Sequence, residues 1–221
     1  MRGVGAVHHD RPTLLPAGLR VPAVVVAVFS AVVLGVLAVR YAGDDGPGRV
    51  DGHLDRALDA LPGQGVARIV IELGSPVFVT AAASLLALAY LLRRRYRSAA
   101  LAVGGPGLTG LVTTFGKPAV DRTIGHGELA FPSGHTGGAT SLALVVALLV
   151  AAALSLGPGG TAVLAGLCAV AAGAAVGTGM VVLGWHYPTD VIGGFCTATA
   201  AVLAVALVLD ATARQRAPAV P

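Results

Sequence analysis

The feature that most constrains this chain is a series of apolar runs, each long enough to cross a lipid bilayer. At about 1.5 Å per residue, about 20 helical residues cross a hydrocarbon core of roughly 30 Å. Only 12% of the residues are charged, whereas a soluble domain has about 25%. The runs therefore predict an all-α membrane protein rather than a soluble domain.

Six of these runs are predicted to span the membrane. They are approximately Val21–Ala42, Val66–Leu92, Ser98–Gly116, Gly134–Leu156, Thr161–Leu183 and Pro188–Leu209. The first is too long for the apolar core of a signal peptide, so we expect an uncleaved helix. The third is rich in glycine, and small residues let helices pack closely in lipid, so we expect it inside the bundle.

A short interfacial helix is predicted after the first span. Within residues 43–65, four apolar residues recur at helical spacing: Leu54, Ala57, Leu58 and Leu61. Charged residues fall on the other faces: Asp51, Asp55, Arg56 and Asp59. This pattern is typical of an amphipathic helix on the membrane surface, and a solvated loop is the alternative.

The distribution of arginine predicts the orientation in the cell membrane. Six spans place both termini on one side, and the two tails with the Arg93–Arg97 loop hold nine arginines, which marks that side as cytoplasmic. We therefore predict cytoplasmic tails over residues 1–20, expected to be loose, and residues 211–221. The membrane domain covers residues 21–210. The loops at 43–65, 117–132 and 185–187 then face outward.

Several other classes of site receive no support. The net charge of +4 comes with no basic face carrying interleaved aromatics, so no nucleic-acid partner is predicted. Cys168 and Cys196 lie inside apolar runs and are expected to be small buried hydrophobes. The His8–His9 pair has no third ligand nearby. The sequence thus predicts no metal and no cofactor, and it does not indicate an oligomeric state.

Pro132-Ser133-Gly134-His135 opens the fourth span and suits an anion site. Ser133 is a good N-cap, and Gly134 lets a ligand approach the backbone. The free N–H groups of a first helical turn attract anions, and His135 can give or take a proton there. The alternative is an ordinary capped helix with a surface histidine.

His186 and Asp190 flank the start of the sixth span. Pro188 suits the first helical turn, which places Asp190 four residues after His186. A carboxylate there can hold one ring nitrogen of the histidine and make the other a better nucleophile. The alternative is an interfacial aromatic belt followed by a helix N-terminal acid.

Together with two cations, these groups fit phosphoryl transfer through a phosphohistidine without a metal. His186 would attack phosphorus, His135 would protonate the leaving oxygen and later activate water, and Asp190 would orient His186. The predicted phosphate-binding residues are Lys117, Arg122, Ser133 and Gly134.

At these residues the chain resembles the type 2 phosphatidic acid phosphatase superfamily, which also includes vanadium haloperoxidases. The family pattern is Lys-x6-Arg-Pro, Pro-Ser-Gly-His and Ser-Arg-x5-His-x3-Asp. The second motif matches in full at 132–135, the third matches at His186 and Asp190, and the resemblance covers about residues 50–210. It implies the membrane lipid-phosphatase branch, acting on a lipid phosphate or diphosphate, such as phosphatidate or a polyprenyl diphosphate, at the extracytoplasmic leaflet.

The chain departs from the family pattern at two cations. Counting from Lys117, the family Arg falls on Ile124 and its Pro on Gly125, while Arg122 comes two residues early and could replace the Arg. The family Ser-Arg of the third motif falls on Gly179-Met180. His126, in the same loop, could compensate in part, and the alternative is a solvated loop histidine.

Each charge-assisted contact is worth about 1.5–3 kcal/mol. The alternative is therefore a catalytically impaired homologue that binds lipid head groups or a partner protein. Six spans leave no large aqueous domain for a soluble haloperoxidase. The nearly charge-free mid-span regions disfavour a transporter.

Overall fold

The computed structural model describes residues 13–58, 63–125 and 127–215. In this part of the chain it has eight α-helices: α1 (Arg20–Arg40), α2 (Arg49–Leu58), α3 (Gln64–Val70), α4 (Pro76–Leu92), α5 (Tyr96–Val120), α6 (Gly134–Ala153), α7 (Pro158–Val182) and α8 (Pro188–Gln215). Short 3-10 helices cover Ala17–Leu19 and Ile71–Gly74. Two strands of two residues each, β1 (Thr123–Ile124) and β2 (Glu128–Leu129), pair antiparallel in a short hairpin.

Some residues named in the sequence analysis lie outside the described part of the chain. They are His8, His9, Asp59, Leu61 and His126, the arginines Arg2, Arg11 and Arg216, and the side chains of Asp55, Ala57 and Leu58.

The predicted all-α membrane bundle is confirmed. Five of the described helical segments are long and apolar enough to cross a bilayer, and they comprise α1 and α5 to α8. The segment from α3 to α4 is bent by 44°, and it is the sixth span if the bent pair is counted as one. The second span, predicted as one run over Val66–Leu92, is therefore broken. The break lies at Ser75-Pro76, because a proline disfavours helical geometry in the residue before it and has no N–H to continue the ladder.

Helix α5 is longer than the predicted third span, Ser98–Gly116. It continues to Val120 and ends where Asp121 adopts a left-handed conformation, with φ of 55°. Lys117 consequently lies in the last helical turn and not in the loop where the sequence places it. Helix α5 packs against α4, α6 and α8, as expected for a glycine-rich span inside the bundle.

The predicted interfacial helix is present as α2, which packs against α7 and α8. One of its polar residues does not follow the amphipathic pattern. Asp51 is completely buried, where the sequence places it on a polar face away from the apolar stripe. Helix α2 is thus attached to the bundle through the side chain of Asp51.

At the opposite end of the bundle, Asp210 of α8 fastens the N-terminal segment. Its carboxylate accepts hydrogen bonds from the amides of Leu14, at 3.1 Å, and Leu15, at 3.0 Å, and it pairs with Arg97 of α5. Residues 13–19 therefore pack on the bundle rather than forming part of a loose tail. Helix α8 continues to Gln215, beyond the predicted end of the span.

The N-terminus of α6 is held between two close backbone contacts. A Cβ atom on Gly194 of α8 would overlap the carbonyl oxygen of Ser133. A Cβ on Gly74, in the 3-10 turn before α4, would overlap the carbonyl oxygen of His135. The two glycines let α8 and the bent second span enclose the first turn of α6.

We predict that Gly194→Ala destabilises the protein by about 1–3 kcal/mol, because the added methyl group forces α8 away from α6. Gly166→Ala in α7 is the matched control, since its Cβ would meet no atom within 4 Å. Its effect should stay within about 1 kcal/mol and favour the helix. Unfolding in detergent measures both variants. Equal stability of the two would contradict the close contact between α6 and α8.

Candidate active site

The first turn of α6 has the features of an anion site. The Ser133 hydroxyl oxygen accepts a hydrogen bond from the Thr136 amide at 3.4 Å and donates to the Thr136 hydroxyl at 3.0 Å, so Ser133 is the N-cap. The amides of Gly134 and His135 have no hydrogen-bond acceptor within the described residues. Two unpaired N–H groups at a helix N-terminus can bind two oxygens of one phosphate.

His186 lies in the short connection between α7 and α8 and is buried. Its Nδ1 atom is 3.5 Å from Oδ2 of Asp190, which is longer than a good hydrogen bond, and it has no other hydrogen-bond partner in the described structure. The same carboxylate oxygen accepts the amide of Tyr187 at 2.9 Å. A small rotation of the imidazole would complete the predicted His–Asp pair.

A backbone hydrogen bond joins the two motifs directly. The amide of Ser133 donates to the carbonyl oxygen of Asp190 at 3.0 Å. The histidines are also close enough to interact electrostatically, since the charge of His186 acts on His135, as does that of Lys117. The structure thus brings His135, His186 and Asp190 to the same end of the bundle.

Lys117 approaches this group from the last turn of α5. Its side chain is half-buried, and Nζ donates to the carbonyl oxygen of Leu129 in the hairpin at 2.9 Å. Its charge interacts with those of Asp190 and Glu128. A flexible ammonium group with one backbone acceptor keeps two further donors for a ligand.

Arg122, predicted as a phosphate ligand, has protein partners instead. It is completely buried, and its Nη1 atom donates to Asp190 at 2.6 Å and to the Thr189 hydroxyl at 2.7 Å. Its Nη2 atom donates to Asp51 at 2.6 Å. The guanidinium carbon lies 4.1 Å from the ring centre of Tyr41. Its Nε atom has no hydrogen-bond partner among the described residues. A phosphate contact through Nη1 would require breaking the pair with Asp190.

Asp51 is the site residue that sequence reasoning missed. Its Oδ1 atom accepts the Thr189 amide at 2.9 Å, and Oδ2 accepts the Thr189 hydroxyl at 3.0 Å and the Gly48 amide at 3.1 Å. In the sequence, Asp51 looks like any other acid of an amphipathic helix. No local signal distinguishes it, because its partners lie up to 138 residues away.

Residues 111–214 match the family model of the PAP2 superfamily. The matched region is 104 of the 221 residues and is similar to this superfamily. It contains all the residues of the site except Asp51 and Tyr41. The sequence-level resemblance is thereby confirmed.

A similarity of fold to a solved structure extends over nearly the whole chain. The chain is similar to a crystal structure described as the first transmembrane PAP2 type phosphatidylglycerolphosphate phosphatase from Bacillus subtilis. The TM-score is 0.64 at 19% sequence identity, and the match covers 90% of this chain and 98% of that chain. No curated protein sequence matches the chain.

By the family pattern the third-motif arginine falls on Met180, which lies in apolar packing. Met180 is 1% exposed and packs in a cluster with Ile71, Ala139 and Val176. A Cβ on the preceding residue, Gly179, would approach the Ile71 side chain to 2.9 Å. The turn between α3 and α4 therefore occupies the space beside this position.

We predict that Met180→Arg destabilises the protein by several kcal/mol, because the cluster offers a guanidinium no anion. Met180→Leu, which keeps the volume, should change stability by less than about 1.5 kcal/mol. Unfolding in detergent compares the two variants. A Met180→Arg protein that is as stable as the wild type and binds vanadate more tightly would show that the new side chain reaches the phosphate site.

Proposed function

We propose that this protein is an integral membrane phosphatase that hydrolyses a lipid phosphate or diphosphate through a phosphohistidine. The observation that carries the proposal is the hydrogen bond between the Ser133 amide and the Asp190 carbonyl. It holds the His186–Asp190 pair next to the free amides of the α6 N-terminus. A nucleophile, an acid and an anion site then share one end of a membrane bundle.

In the first step, Nε2 of His186 attacks phosphorus while Asp190 holds the proton on Nδ1. The bond between phosphorus and the leaving oxygen breaks, and His135 gives its proton to that oxygen. In the second step, His135 takes a proton from water, the hydroxide oxygen attacks phosphorus, and the N–P bond breaks. Inorganic phosphate leaves and His186 is regenerated.

The phosphoryl oxygens are stabilised by the amides of Gly134 and His135 and by Lys117. The Ser133 hydroxyl can turn from Thr136 to the phosphate while its backbone keeps its position. These donors and histidines supply each role that the reaction needs, so the proposal includes no metal. The two backbone amides are fixed before the substrate binds, which favours the charge distribution of the transition state.

A lipid substrate suits the position of this site. The catalytic residues lie at the ends of membrane helices, where a phosphate head group can enter while its acyl or prenyl chain stays in the bilayer. The arginine asymmetry supports an extracytoplasmic site in the cell membrane. Phosphatidate, a polyprenyl diphosphate and phosphatidylglycerolphosphate, the last named for the similar Bacillus protein, are the substrates to compare.

The second candidate is a head-group-binding homologue with little turnover. Two observations favour it: Arg122 is paired with protein carboxylates, and Met180 occupies an apolar cluster. Both remove positive charge from the phosphate. Binding of a lipid phosphate without phosphate release would distinguish this candidate from the enzyme.

Purified wild-type protein should release phosphate from at least one lipid in the panel, and chelators should not prevent it. Activity should be bell-shaped in pH, because His186 must be neutral to attack and His135 protonated to assist the leaving group. His186→Ala should lose nearly all turnover, since the nucleophile acts in every cycle.

His53→Ala is the matched control for this experiment. His53 is an exposed histidine of α2, with Nδ1 2.8 Å from the carbonyl oxygen of Arg49, and its loss should leave turnover unchanged. A His186→Ala protein with wild-type turnover would refute the phosphohistidine. The head-group-binding proposal would replace the enzyme if the wild type bound these lipids and released no phosphate.

The orientation is tested with single cysteines in a Cys168→Ala, Cys196→Ala background. Glu128→Cys in the hairpin should react with an impermeant thiol reagent in intact cells, because it lies at the end of the bundle with the site. Gly159→Cys, exposed in the first turn of α7 at the other end, should react only after lysis. The reverse pattern would place the site in the cytoplasm.

A further inference from the structure

Three ionised side chains are enclosed together directly behind the proposed catalytic pair. Arg122, Asp51 and Asp190 have no exposed surface, and the guanidinium pairs with both carboxylates. We propose that Asp51 and Arg122 are positioning residues of the phosphatase reaction, which orient Asp190 toward His186 and preserve its negative charge. This inference rests on the proposed function, because it assigns a role within that same site.

The orientation follows from how the Asp190 carboxylate divides its two oxygens. Oδ1 accepts Nη1 of Arg122 at 2.6 Å, whereas Oδ2 faces Nδ1 of His186 and accepts the Tyr187 amide. With Oδ1 held by a charge-assisted bond, the carboxylate cannot turn away from the imidazole without breaking that bond. Arg122 therefore acts on the nucleophile through Asp190.

The charge argument explains why a second carboxylate is needed. One guanidinium beside Asp190 alone would cancel its charge and remove its electrostatic support of His186. Asp51 supplies a second negative charge at 2.6 Å from Nη2, so the three groups together keep one net negative charge. The amides of Thr189 and Gly48 donate to the Asp51 carboxylate and hold it in place.

The environment of Arg122 keeps this arrangement dry and rigid. Its guanidinium lies between two aromatic rings, with the centre of Tyr41 at 4.1 Å and that of Tyr187 at 4.5 Å. Both rings are largely buried, and cation–π contacts are stronger when the cation is desolvated. Asp51 and Tyr41 come before residues 111–214, the region that matches the PAP2 family model, so the preceding part of the chain also contributes to the site.

The other charged and titratable groups around His186 and Asp190 are left unchanged in the variants described next. His135 interacts electrostatically with His186, with Glu72 of the 3-10 turn and with Lys117, and Lys117 in turn interacts with Asp190 and Glu128.

The first variant is Asp51→Asn, assayed against the substrate that the wild type hydrolyses. The three groups then have no net charge, so His186 should protonate less readily and become a weaker nucleophile. We expect kcat to fall about tenfold to a hundredfold with KM little changed, which is the usual effect of removing a residue that orients a functional side chain. The acidic limb of the pH–rate profile should move to lower pH by about one pH unit.

The second variant is Asp51→Asn combined with Arg122→Gln. It restores one net negative charge, so the acidic limb should return toward its wild-type position. Asp190 still lacks the guanidinium that orients it, so kcat should remain about tenfold or more below the wild type. The two variants are destabilised for different reasons, because Asp51→Asn keeps the Arg122–Asp190 pair whereas the double variant leaves Asp190 without a cation. Whichever of them folds tests the inference.

Asp210→Asn is the matched control. Asp210 is a buried carboxylate of the same helix α8, and it also accepts two backbone amides and pairs with an arginine, but at the opposite end of the bundle. Its loss should lower stability without moving the acidic limb or the kcat of the folded fraction. A shift of the limb in this variant would mean that general destabilisation causes the effect.

Three results overturn the inference while leaving the proposed function intact. The first is a double variant with wild-type kcat, and the second is a folded Asp51→Asn protein with an unmoved acidic limb. The third is a double variant whose KM rises at constant kcat, which would make Arg122 a phosphate ligand. A wild-type protein that releases no phosphate from any lipid removes the proposed function and this inference with it.

Discussion

The site depends on the burial of one carboxylate, that of Asp190. Its side chain is bonded to Arg122 and to the Tyr187 amide, and its carbonyl oxygen accepts the amide of Ser133. Removing a carboxylate from water carries a large desolvation penalty, which only a complete set of partners offsets. The start of α6, which carries His135, and the start of α8, which follows His186, are therefore held together by the bonds to Asp190.

The sequence predicts those parts of the fold that depend on local pattern. Run length predicts the spans, the Pro-Ser-Gly-His turn predicts the N-terminus of α6, and the spacing of His186 and Asp190 predicts their approach. Run length does not predict the break at Ser75-Pro76, because a straight span and a bent span have the same apolar length. It does not predict the helical position of Lys117 either, because the polar residues after Lys117 are typical of a loop although α5 continues to Val120.

The partners of Arg122 could not be predicted in this way. They lie 67, 68 and 71 residues away along the chain, so no period or motif connects them. The sequence shows only that Arg122 comes two residues before the family position, which is about 7 Å along an extended chain. At that displaced position the guanidinium meets the carboxylates of Asp51 and Asp190.

Helix α8 carries a buried aspartate near each of its ends, Asp190 on the side of the site and Asp210 on the side of the N-terminal segment. Twenty residues of helix separate them, a rise of about 30 Å, which equals the usual hydrocarbon thickness of a bilayer. The two carboxylates are therefore held at a fixed separation along the membrane normal. Bilayer thickness then sets how far the histidines at one end of α8 lie from the membrane surface.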